Sequence, residues 1–440
     1  MKSGELLRIE RVNAVRDLPS EWESKYGAGK GEKLLLLEPK IKIDDQSTWS
    51  DLVKKGVEDK ELQLGGYEIT LDYEHWNYLD IMRSLLPEDA QDELPVGFTQ
   101  TGQVAHLNIR KEYLPYRYLI AEVLMDKNPS IKTVINKIED VGAVNPFRTF
   151  SYEVLAGPDD LNVEIREEDC TFRFDFAKVY WNSRLSTEHR RLVNLFNPGE
   201  VVVDVMAGVG PFAVPAGKKG VFVWANDLNP DSIKAMRDAV VRNKVEPFVR
   251  PHCEDGHKFI YRATDEILKL AEEGRNKVII PAKQPKVSRN ATEKPKKVED
   301  TAIEIPKTVS HFVMNLPASA LEFVPNYRGL YAGKEELFEP HTSTKLPMVH
   351  VHCFSTKSED NVREGHEIAG IVSEMLGHKM EFEGEVQMAA GDTKNKKRAV
   401  GEVADGKVRV HDVRDVAPKK RMFCASFRIP AEVAFAPRKE

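Results

Sequence analysis

Cysteine is scarce in this chain. Its four cysteines, Cys170, Cys253, Cys353 and Cys424, lie far apart with no Cys-x-x-Cys pair. That excludes a disulfide-built scaffold and a cysteine-based zinc site, and it suits a reducing compartment. Long apolar runs are missing too. No stretch approaches the roughly 18 residues of a membrane span, and the most apolar window, 201–217, carries Asp204 and several Gly and Pro. The segment 1–27 contains Glu5, Glu10, Asp17, Glu21 and Glu23 and no apolar centre. It resembles neither a secretory signal nor an acid-poor mitochondrial presequence. A positive balance is also absent, with 64 Lys+Arg against 70 Asp+Glu and a net charge of −6. That sum discourages a nucleic-acid partner at first sight, but phosphates are met by a local basic face. What is present is ample core material: 41% hydrophobic residues in a chain of 440. This excludes global disorder, and the length suggests roughly two to three domains.

Residues 1–94 read as a small mixed unit, with strands expected at 33–37 and 68–71 and a helix over 74–91. Asp92-Glu93-Leu94-Pro95 reads as a linker. Residues 95–182 read as a second α+β unit with strand-like runs at 104–109, 133–138, 150–155, 163–165 and 170–176. Pro115 suits the first turn of a helix reaching Lys127. The alternation Thr171-Phe172-Arg173-Phe174-Asp175-Phe176 puts three phenylalanines on one face of a half-buried strand. From 183 to 440 strands and helices alternate, which predicts a parallel, doubly wound sheet. Two β-rich runs, 408–416 and 422–429, predict an antiparallel hairpin at its end. The Lys/Pro-rich segment 274–306 is expected to be a disordered surface insertion, with a basic arm brushing nucleic acid as the alternative. No internal repeat is present.

The most specific local signal is Val201-Val202-Val203-Asp204-Val205-Met206-Ala207-Gly208-Val209-Gly210-Pro211-Phe212. A buried strand ends at an acid and a glycine turn follows, at the edge of the sheet where open α/β folds bind ligands. Taken alone, this is also how a tight strand-to-helix turn looks. The next strand ends at Asp227, beside Leu228-Asn229-Pro230, about where an acid accepts hydrogen bonds from ribose hydroxyls. Asp255 holds the following strand-end position and suits an adenine amino group. Read singly, Asp227 is an N-cap and Asp255 a turn residue; in register they point to a nucleoside-containing cofactor.

This combination resembles class I S-adenosylmethionine-dependent methyltransferases. The resemblance implies a Rossmann-like α/β domain of seven strands with a terminal antiparallel hairpin, here preceded by two smaller α+β domains. It also implies S-adenosyl-L-methionine as cofactor, held by Asp204, Ala207, Gly208, Gly210, Asp227, Leu228 and Asp255. Further motifs narrow the family. The stretch from Lys178-Val179-Tyr180-Trp181 through Arg184-Leu185-Ser186-Thr187-Glu188-His189-Arg190 is one, and Asn315-Leu316-Pro317 another. Asn145-Pro146-Phe147-Arg148-Thr149-Phe150 and Glu153-Val154-Leu155-Ala156-Gly157 complete the set. Together they resemble the tRNA (guanine-37-N1)-methyltransferase family of archaea and eukaryotes, in wording close to fungal members, from about Val96 onward. The resemblance implies a tRNA-elbow-binding domain at 1–94, a middle domain at 95–182 and a catalytic domain at 183–440.

N1 of guanine carries a proton and is not nucleophilic until that proton leaves. The site needs a general base, a group that steadies charge at O6, and an aligned methyl donor. By resemblance Glu188 is the base, Arg148 steadies the guanine and Asn315 places an amide at the base edge. Without the resemblance they read as a helix-start acid, a phosphate-pairing arginine and a turn residue. Tyr180, Arg184, Asn315 and Pro317 are expected beside the cofactor, and no metal is called for. Asn315-Leu316-Pro317-Ala318 lacks the Pro-Pro-aromatic wording of amino-methyltransferases, which suits a ring nitrogen. Arg237, Arg242, Lys244, Lys419-Lys420-Arg421 and His189-Arg190-Arg191 are candidates for a tRNA-facing surface.

Two alternatives stand beside methyl transfer. One is a wybutosine-pathway enzyme that transfers an aminocarboxypropyl group, and the other a non-catalytic tRNA-binding protein. The expected partner is tRNA, through its anticodon stem-loop and elbow, met by a monomer with no membrane attachment. Fungal relatives carry a longer stretch before Leu6-Leu7-Arg8-Ile9, so the first domain is expected to be incomplete. The expected location is cytoplasm and nucleus, with the mitochondrial matrix as a further family site.

Overall fold

The computed structural model describes residues 5–18, 32–91, 93–138, 147, 149–280, 282, 299–340, 344–383 and 403–438. Contacts divide the chain into two compact units, Met1–Leu94 and Pro95–Glu440. In the first unit β1 (Val15–Asp17) pairs antiparallel with β2 (Lys33–Leu35), and Leu7, Leu34 and Leu36 form a small core under them. Ser50 caps the helix Asp51–Glu58. A capping box of Asn77 and Asp80 opens the helix Tyr78–Leu85. The expected strand at 68–71 does not form, and the expected helix over 74–91 is shorter. Pro87 forces Leu86 out of the helical region, and Glu88–Ala90 is a separate 3-10 turn.

The second unit begins with a four-stranded sheet ordered β3 (Thr99–Thr101), β4 (Val104–Leu107), β5 (Thr133–Lys137) and β6 (Tyr152–Ala156). Pro115 lies in the 3-10 turn Lys111–Tyr116, and the α-helix proper is Arg117–Asp126. A ribbon of β7 (Asn162–Glu167) and β8 (Cys170–Asp175) follows. Phe172, Phe174 and Phe176 are buried on one face, as their spacing predicts. That face joins Val202, Val223 and Leu192 in one continuous core, so the ribbon packs into the large sheet.

The large sheet contains β9 (Val201–Asp204), β10 (Phe222–Asn226) and β11 (Val249–His252). It is completed by β14 (His311–Met314), β15 (Met348–Ser355), β16 (Glu381–Phe382), β17 (Lys407–Ala417) and β18 (Lys420–Arg428). The spatial order is β11-β10-β9-β14-β15-β18-β17-β16. From β11 to β15 neighbouring strands are parallel, and β18 is antiparallel to both β15 and β17. The terminal hairpin is therefore present, with the two-residue β16 as an eighth strand beyond the expected seven. Period-2 alternation sends Val201, Val203, Phe222 and Trp224 to one face, against the helices Gly256–Glu272 and Val362–Leu376. Val202, Val223 and Ala225 go to the other, against Ser186–Leu195 and Pro230–Arg242. Each such side chain contributes on the order of 2 kcal/mol by leaving water.

The expected insertion 274–306 is narrower than its composition implies. β12 (Lys277–Ile280) and β13 (Thr301–Glu304) form an antiparallel pair, and Ile305 and Asn276 are buried at its base. Val278 and Ile280 of β12 and Ile303 of β13 are the half-buried apolar positions of this pair; 283–298 lie outside the described residues.

Candidate active site

Strand order reverses on either side of β9, and β9, β10 and β14 end at one edge. Asp204, last in β9, lies beside Ala225 of β10 and Val313 of β14. The chain then turns sharply. The Ala207 N–H donates to Asn226 O at 2.6 Å, and Gly208 and Gly210 hold φ of 57° and 92°, the left-handed region open to glycine. A Cβ on Gly210 would press on Val214 at 3.0 Å and Met236 at 3.2 Å. A Cβ on Gly208 would meet no described residue within 4 Å, so a ligand can approach the backbone there. Asp227 closes the turn: its carboxylate accepts the Gly208 N–H at 2.8 Å and the Asn229 N–H at 2.9 Å. Asn229, not Asp227, caps the helix Pro230–Arg242.

Two buried polar groups here have no hydrogen-bond partner of ordinary geometry among the described residues: both oxygens of Asp204 and Oδ1 of Asn315. Burial, reinforced by the Asp227 carboxylate, pushes the Asp204 carboxyl well above its ordinary value. Burial also raises Asp227, against the opposing amides of Asn229 and Gly208. Orphaned acceptors beside an open glycine turn fit a ligand that brings amino and hydroxyl donors. Leu228 and Tyr180 are 48% and 39% exposed. Pro317 is half-buried, and Arg184 donates to the Thr99 hydroxyl at 3.2 Å. Asp255 serves as an N-cap, its Oδ1 accepting from the His257 and Lys258 amides.

Glu188 lies in the first turn of the helix Ser186–Leu195 and is 2% exposed. Arg191, one turn on, grips it with two bonds, Nε to Oε2 at 2.6 Å and Nη2 to Oε1 at 2.7 Å. His352 Nε2 meets Oε1 at 2.7 Å. Burial alone would push Glu188 up, but Arg191 and His352 outweigh it and hold the carboxyl far below its ordinary range. The group is ionised. A carboxylate accepts about four hydrogen bonds. Among the described residues Oε1 takes two, while Oε2 takes one and keeps a free lone pair. His411 Nε2, at 3.9 Å, is too distant to fill it.

His352, Cys424 and His411 form one row across β15, β18 and β17, on the face covered by Glu188's helix. Glu188, His352 and Cys424 lie close enough together to suit an ion. However, the Arg191 guanidinium already binds both Glu188 oxygens, so they are not read as metal ligands. His352, Cys424 and His411 were not singled out from sequence as site residues, and Arg191 only as part of a candidate tRNA-facing surface. Arg191 was readable as the i+3 partner of Glu188. The alternation of His350 and His352 in an apolar strand was the available signal for His352.

Arg148 lies outside the described residues. Part of the expected basic surface is engaged with carboxylates, while Arg237, Lys244 and Lys419 make no ion pair among the described residues and Lys420 lies over the Phe354 ring. His189 pairs with Glu167 and is 3% exposed, Arg190 pairs with Glu168 and Arg242 with Asp238, and Arg421 meets Asp412 and Asp415. Arg191 is spent on Glu188.

Residues 163–280 match the family model of the TRM5/TYW2 methyltransferase domain, and residues 78–160 that of the TYW2 N-terminal domain. The matched methyltransferase segment takes in β7 and β8, which share the large sheet's core. The tRNA (guanine(37)-N(1))-methyltransferase of Neurospora crassa is 51% identical over 436 residues, covering 99% of this chain and 86% of its own length. That of Fusarium vanettenii is 51% identical, covering 99% and 88%.

The chain belongs to the tRNA (guanine(37)-N(1))-methyltransferase family.

The family's Schizosaccharomyces pombe member is 40% identical over 405 residues, covering 92% of this chain and 84% of its own. Among solved structures, the complex of aTrm5 and tRNALeu aligns with a TM-score of 0.53 at 19% identity, over 91% of each chain. Trm5b from Pyrococcus abyssi aligns with a TM-score of 0.50 at 21% identity, over 78% of each. At that identity the likeness speaks for the family's fold. The chain carries the family's methyltransferase domain and is an S-adenosylmethionine-dependent methyltransferase.

Proposed function

We propose that this family member methylates N1 of guanosine 37 in tRNA, the base 3′ of the anticodon, and that Glu188 Oε2 accepts the N1 proton. The observation that carries this reading is a buried, ionised carboxylate with one unfilled acceptor position, close to the edge formed by Asp204, Gly208, Asp227 and Asn315. S-adenosylmethionine supplies the electrophilic methyl group when bound. Asp227 would take its ribose hydroxyls, Asp204 a donor of the amino-acid portion, and Gly208 would let it approach the backbone. Tyr180, Leu228 and Pro317 would cover its apolar parts.

A carboxylate held this low is a weak base for a resting guanine. It serves because the N1–H grows steeply more acidic as N1 begins to bond to carbon, so proton and methyl transfer proceed together. The Asn315 amide has its oxygen unpaired and buried at the end of β14, where it can accept from a guanine N–H and align the ring. Arg148 would oppose charge developing at O6. Presenting the base to Glu188 requires it to leave its stack, at a cost of a few kcal/mol. Residues 1–94 are read as the unit that meets the tRNA elbow, with the protein acting as a monomer.

Glu188→Gln keeps the shape and an acceptor oxygen for one of the two Arg191 bonds but removes the carboxylate that takes the proton. Single-turnover methyl transfer is expected to fall about 100-fold or more, with cofactor affinity unchanged by calorimetry. A wild-type rate across neutral pH contradicts the role.

A further inference from the structure

The Glu188 carboxylate does not hold itself in place. It sits on a helix, whereas Asn315 follows a sheet strand, and both must present to the same purine. One side chain touches both elements. His352, fully buried in the middle of β15, directs Nε2 at Glu188 Oε1, 2.7 Å away, and Nδ1 at the carbonyl oxygen of Met314, 3.3 Å away. Met314 immediately precedes Asn315.

An ionised carboxylate and a backbone carbonyl are both acceptors only. A neutral imidazole has one N–H and satisfies one of them; only the doubly protonated ring satisfies both. The surroundings agree. Burial alone would pull His352 down, but the Cys424 sulfur and the Glu188 carboxylate outweigh it and hold the imidazole at about 10. The charged and titratable groups facing it are Glu188 and Arg191 from the helix Ser186–Leu195, Asp204 at the end of β9, and Cys424 on β18. His411 on β17 and His350 on its own strand complete the set among the described residues. Burial, with Arg191 nearby, pulls His411 down to about 4, so it stays neutral. The ring also packs 6.2 Å from Phe212, the last residue of the glycine turn.

We propose that His352 is a positioning residue for methyl transfer: as an imidazolium it pins Glu188 Oε1 to the strand end carrying Asn315, leaves Oε2 as the sole open acceptor, and sets how strongly that carboxylate binds a proton. This deepens the reading of Glu188 as base and rests on it. The charge does two things. It fixes the carboxylate plane relative to the Asn315 amide, and it keeps Glu188 ionised at pH values where an unpaired buried carboxyl would hold its proton.

The test is a pair of single-turnover pH profiles, wild type and His352→Gln, on tRNA bearing guanosine 37. The glutamine amide can still donate to Glu188 but carries no charge and does not span to Met314. An opposite charge at this range lowers a carboxyl by about 1–3 units. The acidic limb of the profile should therefore move up by about one pH unit or more in the variant, with tRNA and cofactor affinities within about twofold of wild type. A variant that is slower at every pH with an unmoved limb, or that loses only affinity, overturns the proposal. If the variant does not fold, the wild-type protein decides. With histidine labelled by 15N, at least one of the twelve imidazoles should keep both ring protons at pH 8.5, and Glu188→Gln should release one of them. No doubly protonated ring at that pH overturns the proposal. If wild type itself makes no 1-methylguanosine, it is the proposed function that fails. If it does and the limb is unmoved, only the role of His352 fails.

Discussion

Arg191 sets the charge of Glu188 before any substrate arrives. A buried carboxylate stripped of its partner keeps its desolvation cost and loses the compensation, at about 3–5 kcal/mol. Arg191→Met leaves the carboxylate with His352 alone and should lower the thermal midpoint clearly. An unchanged midpoint in calorimetric melts would contradict the pairing. The sign of the pH effect follows from the same bonds. The Glu188 carboxyl is held below its unfolded value, so its contribution to stability is complete above the ordinary carboxylate range, roughly pH 5. It is lost as pH falls toward the folded value. At this scale the sequence was legible where a motif spoke. Glu188, Asp204, Asp227 and Asn315 do converge on one sheet edge or beside it. His352 and Cys424 were not legible, because they become neighbours only through the register of β15 on β18, which no local pattern encodes. The run His189-Arg190-Arg191 reads as a basic surface in sequence, but each side chain has a carboxylate partner supplied by tertiary structure or by helix spacing.

Among the elements, the turn after β9 carries the sharpest expectation. Gly208 and Gly210 both need positive φ, which costs an L-residue on the order of 1–2 kcal/mol, but their surroundings differ. Gly210→Ala adds a methyl against Val214 and Met236 and should lower stability more than Gly208→Ala. Gly208→Ala should instead weaken cofactor binding, because its side chain enters the open approach. Reversed effects in paired melting and calorimetric titrations would contradict the ligand position. Asp227→Ala removes the acceptor of two backbone amides and should weaken cofactor binding by about tenfold or more, one lost charged hydrogen bond being worth roughly 1.5–3 kcal/mol. Wild-type affinity by calorimetry would contradict that assignment. Element types read well where periodicity was sustained, as in β9, β10 and the three-phenylalanine face of β8. They read poorly where one residue overrode a pattern. Pro87 cut the helix expected to reach Gln91, and 68–71 lack a partner strand despite strand-like composition. The flanks of the Lys/Pro-rich segment pair with each other, since a composition argument averages over the few apolar residues that make β12 and β13.

For the whole molecule, a net charge of −6 leaves phosphate contacts to local basic groups, so under the proposed function tRNA is expected to be held by local contacts and shape. Binding should weaken steeply with salt, the logarithm of affinity falling linearly with the logarithm of salt concentration. A flat dependence in filter binding would contradict a phosphate-tracking surface. The doubly wound sheet and its antiparallel ending were legible from strand-helix alternation, whereas the sharing of one core by the ribbon β7–β8 and the large sheet was not. That continuity depends on which apolar faces meet in three dimensions. The most direct test of the central claim is transfer of labelled methyl from S-adenosylmethionine to tRNA transcripts differing only at position 37, followed by mass analysis of the modified nucleoside. Label should appear on the guanosine 37 transcript alone, as a guanosine heavier by one methyl group and blocked at N1. Label independent of that base, or a product carrying an aminocarboxypropyl group, would contradict it.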